Sequence, residues 1–227
     1  MSRAINDFII RYRLAIAVCF SYAAFCIATS ALTGLNIYAF LIWNLFLAVI
    51  PFVLSSILVQ RKQLHPAIAV ILFVVWLLFI PNAFYLITDL IHLSQFTFYY
   101  HTGADFTNPV YIHDLRIYLG LIVIAAGVAI ATLIGLASLR QIHRYLDKHT
   151  RHELPIMLVI FALIGFGIYL GRFLRFNSWD IINPISLVTG LLNNLNIFTI
   201  GFTILMGATT AILYALYYKY QLRHENK

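Results

Sequence analysis

Long apolar runs alternate with short polar segments along the chain of 227 residues. The runs are Leu14–Leu32, Ile37–Val59, Pro66–Leu93, Ile117–Leu139, Leu154–Leu174 and Ile197–Tyr218. Five of them contain about 19–23 residues, the length that a helix needs to cross a hydrocarbon core about 30 Å thick. None shows the alternation of a barrel strand, so each predicts a helix whose backbone groups bond within the segment. The pattern predicts an all-α fold, a bundle of about six transmembrane helices in one integral membrane domain over residues 1–227.

Two segments depart from simple spans. The third run, Pro66–Leu93, contains 28 residues and would measure about 42 Å as a straight helix, which exceeds the bilayer core. Pro81 lies in its middle and disfavours helical geometry at the preceding residue, so we expect the third helix to be kinked or broken at Pro81. Before the last run, the Asn183-Pro184 pair predicts a short interfacial helix that ends at about Leu192.

The composition indicates that lipid is the solvent of this chain. Hydrophobic residues make up 62% of it and charged residues 10%, against roughly 45–50% and about 25% in soluble domains. A chain this apolar cannot cover a surface that faces water. We therefore exclude a water-soluble protein and expect the lipid bilayer as its partner; protein partners stay open.

The positive charges predict the orientation of the chain. The formal net charge is +7, but the basic residues do not form the basic and aromatic stripe that binds nucleic acid, so no nucleic acid partner is expected. Of the 15 Lys and Arg residues, 12 lie in the N-terminal tail, the second and fourth connections and the C-terminal tail. The positive-inside rule assigns these segments to the cytoplasm. The prediction is a multi-pass protein of the cell (cytoplasmic/inner) membrane with its N-terminus and C-terminus cytoplasmic.

The first apolar run has two interpretations. Arg3, Arg11 and Arg13 precede it, and Ala28-Thr29-Ser30 resembles the small-residue cleavage site of a signal peptide. The apolar stretch continues through Leu32 and is long for the core of a signal peptide. We favour a first helix that is retained; cleavage is the alternative.

A polar stripe follows Pro81 on the third run. At 100° per residue, an arc of roughly 80° contains Asn82, Tyr85, Asp89 and His92, with Thr88 at its margin. A carboxylate near the bilayer centre costs about 2.5–3.5 kcal/mol, so Asp89 requires a partner or water. The stripe should therefore face the bundle interior or a wet cavity, close to the extracytoplasmic face. We assign Asp89 and His92 as candidate catalytic residues and the other three as candidate binding residues.

A second polar segment lies at the end of the fifth run, on the same side of the membrane. It contributes the remaining candidate binding residues, which are Arg172, Arg175, Asn177, Trp179 and Asp180. Arg172 and Arg175 are three residues apart, so a helix would place them on one face. Basic residues on the extracytoplasmic side, near an intramembrane acid, predict either an ion pair with Asp89 or a site for an anion.

The spacing of Asp89 and His92 is also typical of two ligands on one metal ion. The connection after the third run supplies residues that could complete such a site, namely His101, Asp105, His113 and Asp114. A hydrogen bond from His92 to a neighbouring helix or to interfacial water is the simpler interpretation. Metal content and cofactors stay open.

Small residues recur at four-residue spacing in two predicted helices. Gly127, Ala131 and Gly135 do so in the fourth, and Gly167 and Gly171 in the fifth. Such ladders allow helix backbones to approach closely in lipid. We expect them to pack within the bundle; a dimer interface is the alternative.

Two motifs resemble a known family. The Pro-Asn-Ala-x-Tyr-x-x-Thr-Asp-Leu-x-His-Leu motif at Pro81–Leu93 resembles the signature of domain-of-unknown-function family 1361, a family of predicted prokaryotic integral membrane proteins. The Arg-Phe-Asn-Ser-Trp-Asp motif at Arg175–Asp180 is similar to a second block of that family. The resemblance covers roughly the third helix onward. It implies an integral membrane protein and supplies no activity.

Three functions are compatible with these residues. The first is a membrane-embedded enzyme or binding protein for a lipid-like or anionic substrate. In that case Asp89 and His92 perform acid–base or metal chemistry, and the two arginines of the second polar segment hold the anion. The second is a small proton-coupled transporter with Asp89 as the coupling carboxylate. The third is a non-catalytic assembly or sensor protein whose polar patch docks a partner, so whether the protein is an enzyme stays open.

Overall fold

The helices account for nearly all of the architecture. The structure, a computed structural model, describes residues 3–60, 64–102, 108–180, 183, 185, 189–190, 192 and 194–225, with the backbone alone described for 3–11 and 224–225. Its α-helices are α1 (Arg3–Thr33), α2 (Ile37–Gln60), α3 (Pro66–Tyr85), α4 (Leu115–His149), α5 (Glu153–Phe173) and α6 (Ile197–Glu225). A 3₁₀ helix, η1, covers Leu86–Gln95, and β1 (Tyr99–Thr102) pairs antiparallel with β2 (Asn108–Tyr111). The predicted all-α fold is confirmed, with this small hairpin as an addition.

Six helical segments of the described chain are long and apolar enough to cross a membrane. They are Tyr12–Thr33, Ile37–Gln60, Pro66–Gln95, Leu115–His149, Glu153–Phe173 and Ile197–Arg223. Many large apolar side chains on these helices point outward; Leu14 is 76% exposed and Ile197 is 85% exposed. Outward apolar side chains on helices that satisfy their own backbone groups are suited to lipid. The multi-pass integral membrane fold predicted from the sequence is therefore confirmed.

The third span changes its helix type after Pro81 and not at it. The α-helix continues through Pro81 to Tyr85, and the 3₁₀ helix η1 then follows. Proline removes the backbone hydrogen bond that would reach the Leu77 carbonyl, and the side-chain amide of Asn82 adds a separate bond to the Phe79 carbonyl at 2.9 Å. The Pro81 ring also fills the space beside Gly167, where an added Cβ would lie 2.5 Å from the proline Cγ. The predicted break therefore does not lie at Pro81, since the helix type changes only at Leu86; the kink at Pro81 stays a prediction.

Glycines bring helices close together, as predicted. An added Cβ on Gly135 would lie 2.8 Å from the Cβ of Ala83, and the space beside Gly127 is filled by the Tyr22 ring. The sequence did not predict that α5 and α6 cross at Gly165. There an added Cβ would lie 2.7 Å from the backbone nitrogen of Gly207, which means that α5 and α6 touch backbone to backbone.

The chain divides into two units, and each is described by itself. The first comprises Met1–Leu45 and Asp89–Ile130, and the second comprises Phe46–Thr88 and Ala131–Lys227. In the first unit, the Tyr22 hydroxyl donates to the Val123 carbonyl at 3.1 Å and so joins α1 to α4. In the second unit, α5 packs along both α3 and α6.

Several predictions concern residues outside the described ranges. They involve the cytoplasmic residues Arg61, Lys62 and Lys227, the side chains of Arg3 and Arg11, Asp105 of the possible metal set, and most of the short helix from Asn183-Pro184 to Leu192. These stay predictions.

Candidate functional site

The polar stripe divides into two columns because η1 is a 3₁₀ helix. In that geometry side chains three residues apart eclipse each other, whereas the stripe assumed 100° per residue. Asp89 and His92 therefore stand in one column with Gln95. Thr88 instead follows Tyr85 by three residues, and its hydroxyl donates to the Tyr85 carbonyl at 2.6 Å. The first column belongs to the first unit and the second to the second unit.

In the first unit, Asn44, Asp89, His92 and Gln95 form what we term the carboxylate cluster. Asp89 is 0% exposed, and the amide of Asn44 donates to its Oδ2 at 2.9 Å. The Nε2 of His92 lies 3.9 Å from the Asp89 Oδ1, and its Nδ1 lies 3.1 Å from the Gln95 amide nitrogen. The predicted need of Asp89 for a partner is thus met by an amide from α2.

One nitrogen of the His92 ring has no hydrogen-bond partner among the described residues. Its Nε2 is buried and makes no hydrogen bond to any described residue, since 3.9 Å exceeds hydrogen-bonding distance. When the Gln95 amide donates to Nδ1, the ring proton is on Nε2, the nitrogen nearest Asp89. A movement of about 1 Å would bring this nitrogen within hydrogen-bonding distance of the carboxylate. In this tautomer the Nε2–H can donate a hydrogen bond to the Asp89 carboxylate; a proton can pass to the carboxylate only when Nδ1 is protonated as well and the ring is an imidazolium.

In the second unit, Tyr85, Thr88 and Arg172 form the arginine cluster. The Nε and Nη2 of Arg172 donate to the Thr88 hydroxyl at 2.8 Å and 2.5 Å. The guanidinium carbon lies 4.2 Å from the centroid of the Tyr85 ring. Such a stack contributes about 0.5–2 kcal/mol, so the guanidinium is held in a fixed plane. A fixed guanidinium is a suitable donor for a carboxylate or a phosphate.

Arg175 does not share a helix face with Arg172, so that prediction is wrong. α5 ends at Phe173, and Arg175 has a left-handed backbone with φ of 58°. The amide of Phe176 reaches back to the Leu170 carbonyl at 3.1 Å, which closes the end of the helix. The chain turns sharply here, and Arg175 is exposed.

The segment after this turn docks on α3 through Ser178. The Ser178 hydroxyl accepts a hydrogen bond from the Asn82 amide at 2.9 Å and donates to the Leu78 carbonyl at 2.8 Å. Asn177 donates its backbone N–H to the Asp180 carboxylate at 2.7 Å. Asn82 is thus placed beside the second motif, whereas Asn177 and Asp180 form a local turn.

A family model matches residues 43–213, more than half of the chain, and its description reads "Protein of unknown function (DUF1361)". The chain belongs to the DUF1361 family. The match begins within α2, earlier than the third helix at which the resemblance was predicted to begin, and it includes Asn44 and every candidate residue. No curated protein and no solved structure matches the chain.

Within the described residues of this DUF1361 protein, no three His, Cys, Asp or Glu side chains are grouped to hold a metal ion. His101 lies in β1 edge-on to Tyr99, with ring centroids 5.4 Å apart, and His113 is exposed. Asp114 accepts hydrogen bonds from Arg116, which hold the pKa of its carboxyl below the ordinary value. His101 and Asp114 therefore have other neighbours, and Asp105 lies outside the described ranges.

Three contacts of the DUF1361 site were missed by sequence reasoning. Gln95 carries no signal in the sequence, since polar residues near helix ends are common, and Ser178 lies within the second motif but nothing in its spacing indicates that it would reach α3. Asn44 does carry one, because an amide inside an apolar span needs a partner just as a carboxylate does. Trp179 is 41% exposed, and among the described residues no hydrogen bond or ring contact assigns it to either cluster.

Proposed function

We propose that this DUF1361 protein is a membrane-embedded enzyme or binding protein for a lipid-like or anionic substrate, and that Asp89 and His92 exchange a proton with it. The proposal rests on the carboxylate cluster. An acid that is 0% exposed lies beside a histidine whose buried Nε2 makes no hydrogen bond to a described residue. Ionisable residues inside membrane spans are rare and commonly functional.

The energetics support a role beyond structure. Placing a carboxylate in the membrane costs about 2.5–3.5 kcal/mol, and a hydrogen bond to a charged group contributes about 1.5–3 kcal/mol. The Asn44 amide therefore offsets much of the cost of Asp89 but yields little net gain. An apolar side chain of similar size would avoid the cost altogether. A carboxylate here is better explained by proton chemistry than by stability.

We infer that Arg172 holds an anionic group in its own unit. Thr88 and Tyr85 fix its guanidinium before any ligand arrives, so little side-chain entropy is lost on binding. Guanidinium forks bind phosphate and carboxylate through paired hydrogen bonds. Arg175, exposed just beyond α5, is a further donor for the same anion.

We also infer that the protein lies in the cell membrane with both termini in the cytoplasm. The support is the distribution of basic residues, 12 of 15 of which lie in alternate connections and the tails. The two candidate clusters then approach the extracytoplasmic side. Periplasmic and cytoplasmic labelling of single cysteines placed in these connections tests the orientation.

The decisive test of the function uses a strain from which the gene has been deleted. Asp89→Asn, His92→Gln and Arg172→Gln each keep the side-chain size and remove the charge or the proton site. Each variant should reach wild-type levels in the membrane. Each should nevertheless fail to return the deletion strain to wild-type growth and to the wild-type lipid profile. His113→Gln is the matched control, because His113 is exposed and outside both clusters. Full restoration by all three variants would refute the proposed function.

A proton-coupled transporter is the second candidate, and a buried polar group in the second unit favours it. The Ser55 hydroxyl donates to the Gln141 side-chain oxygen at 2.7 Å and lies 2.9 Å from the Ser138 hydroxyl. Ser56 also donates to Gln141, at 3.0 Å. Polar groups within spans are typical of ion and solute paths. Proteoliposomes containing a pH-sensitive dye should then show a proton flux that Asp89→Asn abolishes; an absence of flux in the wild type counts against this candidate.

A further inference from the structure

A cluster of basic and aromatic side chains joins α4 to α6 in the second unit. The Nδ1 of His143 lies 2.7 Å from the Tyr214 hydroxyl, and the imidazole packs against Tyr218 with ring centroids 5.3 Å apart. The guanidinium of Arg140 lies 4.5 Å from the centroid of the Tyr218 ring. The position of His143 among the basic residues after the fourth apolar run predicts a side chain in water, but the residue is half-buried. We term Arg140, His143, Tyr214 and Tyr218 the basic–aromatic cluster.

This cluster lies where two apolar runs end. The apolar run of α4 ends at Leu139, directly before Arg140, and that of α6 ends at Tyr218, directly before Lys219. α4 contains 35 residues, or about 52 Å of straight helix, so it extends beyond a hydrocarbon core about 30 Å thick. The charged end of α4 is therefore at the depth of lipid headgroups and their phosphates.

Positive charge is in excess at this end of the two helices. Residues 140–149 and 214–223 contain five basic side chains, which are Arg140, Arg144, Lys148, Lys219 and Arg223. They contain one acidic side chain, Asp147. Asp147 and Glu153 of α5 are the carboxylates whose charges act on His143. Each basic residue near a membrane surface contributes about 1 kcal/mol of attraction to anionic lipid.

We propose that Arg140 and Arg144 hold the phosphate of an anionic phospholipid headgroup. They are four residues apart on α4, so their side chains are neighbours on one helix face. Tyr218 orients the Arg140 guanidinium, and Arg144 is exposed. Guanidinium groups bind phosphate oxygens through paired hydrogen bonds. The site uses none of the residues of the carboxylate or arginine clusters, so it stands independently of the function proposed above.

Native mass spectrometry of the full-length protein tests this site. The protein is purified in detergent, exposed to equal amounts of phosphatidylglycerol and phosphatidylcholine, and scored for the lipid that it retains. The wild type should retain phosphatidylglycerol preferentially. Arg140→Gln and Arg144→Gln should each reduce that preference about fivefold, the equivalent of about 1 kcal/mol per basic residue. Arg140→Lys should keep part of the preference, because it keeps the charge but loses the paired donors.

Arg116→Gln is the matched control, because Arg116 pairs with Asp114 and lies outside the cluster. Equal retention of the two lipids by the wild type, or an equal loss in Arg116→Gln, would overturn the proposal. If circular dichroism shows that Arg140→Gln is not folded, Arg144→Gln provides the same test, because Arg144 is exposed. Glycerol phosphate is added at millimolar concentration to separate the two sources of phosphate. Binding of glycerol phosphate by a wild type that retains neither lipid preferentially would overturn the lipid as the occupant, and preferential retention of phosphatidylglycerol in the presence of glycerol phosphate supports the lipid.

Discussion

The crossing of α5 and α6 at Gly165 allows a quantitative test of the packing. Gly165 is buried, and its α-carbon faces the backbone of α6. Replacing it with alanine adds a single methyl group. That methyl would lie 2.7 Å from the backbone nitrogen of Gly207 and closer still to the carbonyl oxygen of Thr203. Real Cβ atoms essentially never approach heavy atoms within 3.0 Å, so the two helices would have to separate.

The cost of Gly165→Ala follows from these distances. The obstacle is backbone, which cannot rotate away as a side chain could, so the upper part of the 1–3 kcal/mol range for overpacking applies, about 2–3 kcal/mol. Alanine has a higher helix propensity than glycine, which stabilises the folded state by about 1 kcal/mol and offsets part of this cost. We expect a net loss of about 1–2 kcal/mol in the free energy of unfolding. Gly165→Leu should be worse, because the added volume meets the same backbone.

Unfolding in mixed detergent and SDS micelles, followed by far-UV circular dichroism, measures this loss. Gly201→Ala is the matched control, since Gly201 lies on α6 and an added Cβ there meets nothing within 4 Å. That control should leave the free energy of unfolding unchanged or raise it by up to about 1 kcal/mol. If Gly165→Ala proves as stable as Gly201→Ala, the backbone contact between the two helices does not exist as described.

Two further predictions concern single side-chain contacts. Asn44→Ala removes the hydrogen bond to Asp89 and should lower the free energy of unfolding by about 1.5–3 kcal/mol. When Asp89→Asn is already present, Asn44→Ala should cost less. An unchanged cost in this double-mutant cycle would count against the bond. Arg116→Gln should raise the pKa of the Asp114 carboxyl toward its ordinary value, because the strongest cause of its lowered pKa is the hydrogen bond from the Arg116 side chain. A lowered pKa in the folded state stabilises the protein at pH values above the ordinary aspartate pKa of about 3.9, and this stabilisation is lost as the pH falls through the folded pKa. NMR titration of Asp114 in the wild type and in Arg116→Gln measures the two pKa values.

The membrane fold was predictable because a hydrocarbon solvent leaves few alternatives. A span must be apolar, about 20 residues long and satisfied in its own hydrogen bonds. The six apolar runs therefore became six helical segments, although α1 begins well before its apolar run and α4 and α6 continue well beyond theirs. The same logic predicted that Asp89 would be sheltered, since a carboxylate is costly in lipid. These properties follow from composition and run length, which any single sequence displays.

The pairing of side chains depended on the tertiary structure. Tyr85 and Asp89 fall on one stripe in an α-helix but on different columns once the chain becomes a 3₁₀ helix at Leu86. Asn44 bonds to Asp89, which lies 45 positions further along the chain. Gly165 touches Gly207, which lies 42 positions further along. A sequence shows that a buried polar group needs a partner. Which group meets that need is decided by the packing of helices distant in the chain.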